Sequence, residues 1–235
     1  MLDLSEMPPI PEKISSKKII VYKSRVDPTI VKLTAEKMKA KLFSKRRSED
    51  IRVVSVDKYY EPYVLIDAKY RIEYFKKRIF SLDVDSDIEN VKVGSVSHKP
   101  EIVDVAGESR KVFKLEAELW SSYHDKTYLI FDKEGHEIPP SQVPAAPSED
   151  HPEKILAEFN RKAEEVAVSP EKGIEMVKER LVKRPSDVAK IVDEMFQVSE
   201  HAVIYSPVYE ITFRNVHSGE EKLVKIDGVT AKIVS

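Results

Sequence analysis

The sequence predicts an α+β fold: two related helix-plus-antiparallel-sheet units with a β-rich insertion between them. Three pairs of landmarks predict it. Asp27-Pro28 and Ser169-Pro170 each open a helical pattern. Tyr60-Glu61-Pro62-Tyr63 and Tyr205-Ser206-Pro207-Val208-Tyr209 each precede an alternating strand. Leu82-Asp83-Val84 and Ile226-Asp227-Gly228 each close one. The offsets are 142 (28 to 170), 145 (62 to 207) and 144 (83 to 227), and landmarks in constant order at near-constant offset are the mark of a repeat.

Along the chain, residues 1–16 carry Pro8, Pro9 and Pro11 without periodicity and read as a disordered or extended arm. Residues 17–138 form the N-terminal α+β unit with its β-rich insertion, 139–152 a Pro/Ala linker, and 153–235 the C-terminal α+β unit. Lys18–Lys23 reads as a short strand. Asp27 caps a helix with Pro28 at its first position, where the missing N–H costs nothing. Val31, Ala35, Met38 and Leu42 recur at helical spacing and form one apolar stripe, flanked by Lys32, Lys37, Lys39, Lys41 and Lys45.

Val64, Ile66, Ala68, Tyr70, Ile72 and Tyr74 alternate with Asp67, Lys69, Arg71 and Glu73, the period of a half-buried strand. Phe75-Lys76-Lys77 separates it from Arg78–Val84 and is read as the turn of an antiparallel hairpin. Pro62 cannot donate to a ladder, so a strand start, edge or bulge is expected there. The buried set is expected to hold Ile66, Tyr70, Leu82, Ile211, Phe213 and Ile226, with Asp67, Lys69, Glu210 and Arg214 in water.

In the insertion, Phe113, Leu115, Ala117 and Leu119 alternate with Lys114, Glu116 and Glu118. Tyr128–Phe131 follows, then the turn Asp132-Lys133-Glu134-Gly135. After the linker three helices are predicted, on the stripes Ile155/Leu156/Phe159/Ala163/Val166, Ile174/Val177/Leu181 and Val188/Ile191/Val192/Met195/Phe196. Strands at 209–214, 223–226 and 229–234 close the chain.

Composition bounds function. The chain has 235 residues, a net charge of −2 and no cysteine, which removes disulfides, thiolate metal sites and a cysteine nucleophile. Two Gln and three Asn beside 34% charged residues is a thermophile-like balance. The first residues lack a basic n-region and an apolar h-region, and no apolar run approaches a membrane span. A cytoplasmic protein with no membrane partner is expected. Residues 11–47 carry a local charge of +9 and 101–168 a charge of −7, read as patches that face each other or another subunit.

No motif for chemistry emerges. Asp83, Asp85 and Asp87 begin like a calcium loop, but Ile88 stands where glycine is needed and Gly94 where glutamate is needed. The six histidines form no His-x-x-x-His pair, and the six glycines form no phosphate loop. Catalytic, metal and cofactor residues are therefore none. Tyr59, Tyr60, Tyr63, Tyr70 and Tyr74, beside Arg71, Lys76, Lys77 and Arg78, have the composition of a base-stacking surface but are read first as a sheet that buries its tyrosines. Lys37, Lys41, Lys45, Arg46 and Arg47 are the candidate polyanion or partner contacts on the basic helix.

The strand-turn-strand ending Asp227-Gly228-Val229-Thr230 resembles the Asp-x-x-Thr-Gly turn of PepSY-like small α+β domains, with Ala231 where that family has glycine. Asp83-Val84-Asp85-Ser86 fits less well. The resemblance covers roughly 30 residues per copy and implies a binding or inhibitory module in tandem, not an enzyme. The leading expectation is a non-enzymatic interaction or regulatory subunit with a protein partner or self-association. The alternatives are a nucleic-acid-binding protein using the basic helix 30–47, and a hydrolase or transferase with a site between the repeats.

Overall fold

The computed structural model describes residues 8–42, 50–105, 107–159 and 166–234. In chain order, these form β1 (Glu12–Ile14), β2 (Lys18–Val21), α1 (Pro28–Leu42), β3 (Ile51–Asp83), β4 (Val91–Val93), β5 (Val96–His98), β6 (Glu101–Val105), β7 (Glu108–Phe131) and β8 (Glu137–Ile138). Then come α2 (Pro152–Glu158), α3 (Pro170–Leu181), β9 (Val188–Asn215), β10 (Glu221–Asp227) and β11 (Ile233–Val234). One nine-stranded sheet has the order β11-β10-β9-β3-β7-β6, with β1 and β2 also pairing β9 and β8 pairing β7. The β4–β5 hairpin stands apart from it.

The predicted balance of two α+β units is therefore corrected. The described residues are 55% strand and 17% helix, a largely antiparallel sheet with short helices. Two local readings fail with it. Phe75-Lys76-Lys77 is not a turn, because β3 runs unbroken from Ile51 to Asp83. The segment holds no residue suited to the positive φ that tight hairpin turns require. Residues 188–196 are strand, not helix. Val188, Ile191 and Val192 are β-branched and prefer the pleated sheet when neighbours are present. Of the strand start, edge or bulge expected at Pro62, the start is excluded, because Pro62 lies inside β3, as Pro207 lies inside β9.

The landmarks match only in part. Pro28 and Pro170 open α1 and α3, and Pro62 and Pro207 sit in the long strands that follow. Asp83, however, ends the same strand as Pro62, while Asp227 ends a separate strand, β10, which pairs antiparallel with β9.

The contacts divide into two compact units. One gathers the described residues through Glu12, Tyr70–Asp125 and Val182–Phe196. The other gathers Lys13–Lys69, Lys126–Leu181 and the described residues from Gln197 onward.

The second unit holds an apolar core. Val31, Ala35 and Met38 of α1 pack with Ile51, Tyr209, Ile211, Phe213, Val224 and Ile226. Asp27 Oδ1 accepts the Thr29 N–H at 2.7 Å and starts that helix. On α3, Pro170, Gly173, Ile174, Val177 and Leu181 are buried. A Cβ on Gly173 would lie 2.5 Å from Ile66 Cδ1, so the bare glycine lets the helix approach the sheet closely. A smaller cluster joins Leu65, Ile130 and Ile204 with Ile20, Tyr22, Tyr63, Ile138 and Val143. Burying each such side chain contributes about 1.5–3 kcal/mol. The Pro/Ala stretch is held by backbone bonds, Lys23 N–H to Pro147 O and Glu149 N–H to Val21 O.

Candidate functional site

β7 presents a long uncovered stretch, most of it in the first unit. From Lys114 to Tyr128 exposure alternates strictly and no residue is buried. Lys114, Glu116, Glu118, Trp120, Ser122 and His124 form the exposed row, and Leu115, Ala117, Leu119, Ser121 and Tyr123 the half-buried one. β6 pairs residues 108–112 and β8 pairs 130–131. Among the described residues, β7 from 113 to 129 therefore has no strand neighbour except β3. Such an edge offers unpaired N–H and C=O groups to another chain.

Trp120, the only tryptophan of the chain, is 67% exposed. Its ring meets Phe75 at 6.4 Å between centroids. On the other face the Tyr123 ring meets Tyr70 at 6.2 Å, and its hydroxyl donates to Asp125 Oδ2 at 3.1 Å. Ile79, Leu82 and Ile102 of the same unit are also exposed.

The same unit buries a charged network. Arg184 holds Glu194 by two parallel bonds, Nε to Oε1 at 2.7 Å and Nη2 to Oε2 at 2.5 Å. The Tyr70 hydroxyl donates to Glu194 Oε1 at 2.7 Å, and Arg184 also donates to the Pro8 carbonyl. Burial, then the bond and charge of Glu194, push the Tyr70 hydroxyl well above its usual range. Each partner satisfies another, and the network fixes the strand face and the N-terminal arm rather than leaving a group for chemistry.

The second unit carries a polar cleft of about 530 Å³ lined by Glu61, Tyr63, Asp132, Lys133, Asp227 and Lys232, among others. Glu61 Oε1 accepts from Tyr59 at 2.8 Å, Lys133 at 2.7 Å and Lys225 at 3.4 Å. Burial pushes the Glu61 carboxyl up, but the bonds from Lys133 and Tyr59 and the charges of Lys133 and Lys225 together hold it below its ordinary value. Tyr63 is pushed up to about 12 by burial and by the charges of Glu61 and Asp227.

At the cleft's Asp132–His136 turn, ligand atoms of Asp132, Glu134 and His136 lie within 4.8 Å of one another. Asp132 Oδ1 already accepts the Glu134 and His136 N–H groups, as turn aspartates do. Asp227 Oδ1 likewise accepts from Val229 N–H, Thr230 N–H and Thr230 Oγ1, so the Asp-x-x-Thr motif staples a turn. Gly228 is required beside it, because a Cβ would lie 2.7 Å from Pro207 O.

Of the candidate contacts on the basic helix, Lys37 is exposed on α1. Lys41 falls on α1 near its end, and Lys45, Arg46 and Arg47 lie outside the described residues. The described helix surface is mixed: Ile30 and Leu33 are exposed beside Lys32, and Lys39 pairs with Glu36. Tyr59, Tyr60, Tyr70 and Tyr74 are buried and present no ring face to a base, while Tyr63 is half-buried.

The polar networks escaped sequence reasoning because Glu61 lies far from Lys133 in the chain and because the segment that carries Glu194 reads as a helix. The open edge escaped it because Ser121-Ser122-Tyr123-His124-Asp125 alternates nothing apolar, although Trp120, Tyr123 and Thr127 favour strands. No helix among the described residues is long and apolar enough to cross a membrane. No family model, curated protein or solved structure matches the chain.

Proposed function

We propose that the protein is a non-enzymatic interaction module, a subunit or adaptor of a larger assembly in the cytoplasm. The observation that carries this reading is the stretch of β7 from Lys114 to Tyr128, in which no residue is buried and one side has no strand neighbour among the described residues. An isolated soluble protein disfavours so long an edge with a bare tryptophan, because it templates pairing with other chains. Tryptophan at the centre of a patch is also the residue type that most often dominates interface energy. The cleft groups support the same reading from the other side, since Glu61 and its lysines satisfy one another.

Chemical cross-linking of the intact chain in extract of its own cells, followed by peptide mapping, tests the reading. Lys77 and Lys114 should cross-link to another polypeptide chain, whether a second copy or a different protein. Cross-links confined to the chain itself would sink it, as would turnover of any substrate lost in Lys133→Ala.

A further inference from the structure

We propose that the open edge of β7 pairs antiparallel with the same edge of a second copy, about a twofold axis at Ser121. This rests on the interaction-module reading and names the partner. A twofold interface must be self-complementary, with residue i opposite j and j opposite i. Every antiparallel register of two identical strands meets that condition, and the one centred on Ser121 adds favourable pairs on both faces of the strand.

On the exposed face it sets Trp120 opposite Ser122 and Glu118 opposite His124, a carboxylate facing a ring that can donate to it. The next pair outward sets Glu116 opposite Lys126. On the half-buried face it sets Leu119 opposite Tyr123, an apolar–aromatic pair of the kind that stabilises antiparallel sheets, and only the small Ala117 falls opposite Asp125. Each pair occurs twice by symmetry.

Neighbouring registers lose these pairings. Shifting the axis to Trp120 sets Lys114 against Lys126 and Leu115 against Asp125. Shifting it to Ala117 sets Glu116 against Glu118. Shifting it to Ser122 keeps Glu118 against Lys126 but sets Leu119 against Asp125. Faces matter because a one-residue slip would move every side chain to the wrong side. The paired stretch from Leu115 to Thr127 spans about 44 Å at about 3.4 Å per residue. Pairing two such edges turns two open sheets into one continuous sheet and removes the exposed edge from both copies.

The chain has no cysteine, so a single introduced thiol reports the geometry cleanly. Sedimentation of the full-length protein should show a dimer at micromolar concentration. Ser121→Cys should form a disulfide-linked dimer under mild oxidation, because directly opposed residues have Cα atoms within the range a disulfide spans. Ser122→Cys, opposite Trp120, should cross-link far more slowly.

His124→Glu sets like charges opposite each other twice and should weaken dimerisation about tenfold or more. Adding Glu118→Lys to it converts each repulsive pair into an attractive one and should restore the dimer to within about threefold of the original. Circular dichroism of each variant checks that the fold persists.

A monomer at about 100 μM, well above the range of a specific sheet dimer, overturns the proposal. So does a dimer indifferent to His124→Glu, or one in which Ser121→Cys links no faster than Ser122→Cys. A purified monomer that still cross-links to a different polypeptide in cell extract overturns this pairing and leaves the interaction-module reading standing.

Discussion

Strand β3 is chemically similar along its length but is buried in one stretch and bare in another. In the second unit, Tyr59 to Ala68 is buried at all but two positions, on both faces of the strand. In the first unit, Lys77 to Asp83 holds Ile79, Phe80 and Leu82 yet has no buried position. The difference lies in what covers each stretch. Ile66 meets α3 at Gly173 and Leu65 packs into the Ile130/Ile204 cluster, so both faces of the sheet are closed. Across 77–83 the alternation of Ile79, Ser81 and Asp83 against Phe80 and Leu82 finds no helix among the described residues. A strand's own pattern sets which face can be buried; a second layer decides whether it is.

The covered region should be the less forgiving. Phe213 is fully buried in the core shared with α1. Phe213→Ala should cost about 3–5 kcal/mol in chemical denaturation, the transfer loss plus a cavity among Val31, Ile211 and Val224. A loss under about 1 kcal/mol would show that the core collapses onto the gap and that the contrast with 77–83 is smaller than burial implies.

The first unit has its own exception to openness in the Arg184–Glu194 pair. Glu194 is only 5% exposed, so Arg184→Ala leaves a buried carboxylate without its cation. The expected loss is about 3–5 kcal/mol. Replacing both partners, Arg184→Met with Glu194→Leu, should recover most of it, because a matched apolar pair leaves no charge stranded. Failure of the double variant to recover would mean that the Tyr70 hydroxyl, left without its acceptor, or the lost Arg184 bond to Pro8 carries the effect instead.

How much of this was legible in the sequence depends on the same difference. The stripes Val31/Ala35/Met38 and Ile174/Val177/Leu181 placed two helices correctly, since one wet face and one dry face leave a clear period. The alternation from Val64 to Tyr74 placed a strand for the same reason. The pattern misled at 188–196, where Glu194 points inward and Val192 outward. An inward charge balanced by a distant arginine inverts the alternation, and the remaining apolar residues then imitate helical spacing. Leu82, expected in the core, is 50% exposed, because nothing in its alternation records whether a neighbour exists to cover it. The polar cleft was invisible: Glu61 acquires its meaning only when β3, β8's preceding turn and β10 bring Lys133 and Lys225 to it.

That cleft gives a prediction in pH. The folded carboxyl of Glu61 lies below its ordinary value of 4.5, so the unfolded chain takes up the proton first as pH falls. The stabilisation is complete above pH 4.5 and is lost as pH drops through the folded value. Glu61→Gln should cost about 3 kcal/mol at pH 7, because it removes the carboxylate charge that Lys133 and Lys225 hold. Its stability should then fall less steeply than the original's below pH 4.5. Parallel acid limbs for the two proteins, measured by denaturant unfolding at several pH values, would place the acid sensitivity elsewhere.

The smallest effects are expected in the bare region, and there a null result carries information. Leu82→Ala and Trp120→Ala remove large side chains that are 50% and 67% exposed, so each should change the stability of the single chain by under about 0.5 kcal/mol. The two should differ in a second measurement. Trp120 stands one residue from the proposed twofold axis, so Trp120→Ala should weaken self-association at least fivefold, a loss of about 1 kcal/mol. Leu82 lies on a different strand, outside that pairing, and Leu82→Ala should leave association unchanged. If Trp120→Ala destabilises the monomer by 2 kcal/mol or more, as a core aromatic would, the tryptophan is packed within its own chain. The contrast between a closed core and an open edge would then have to be withdrawn for β7.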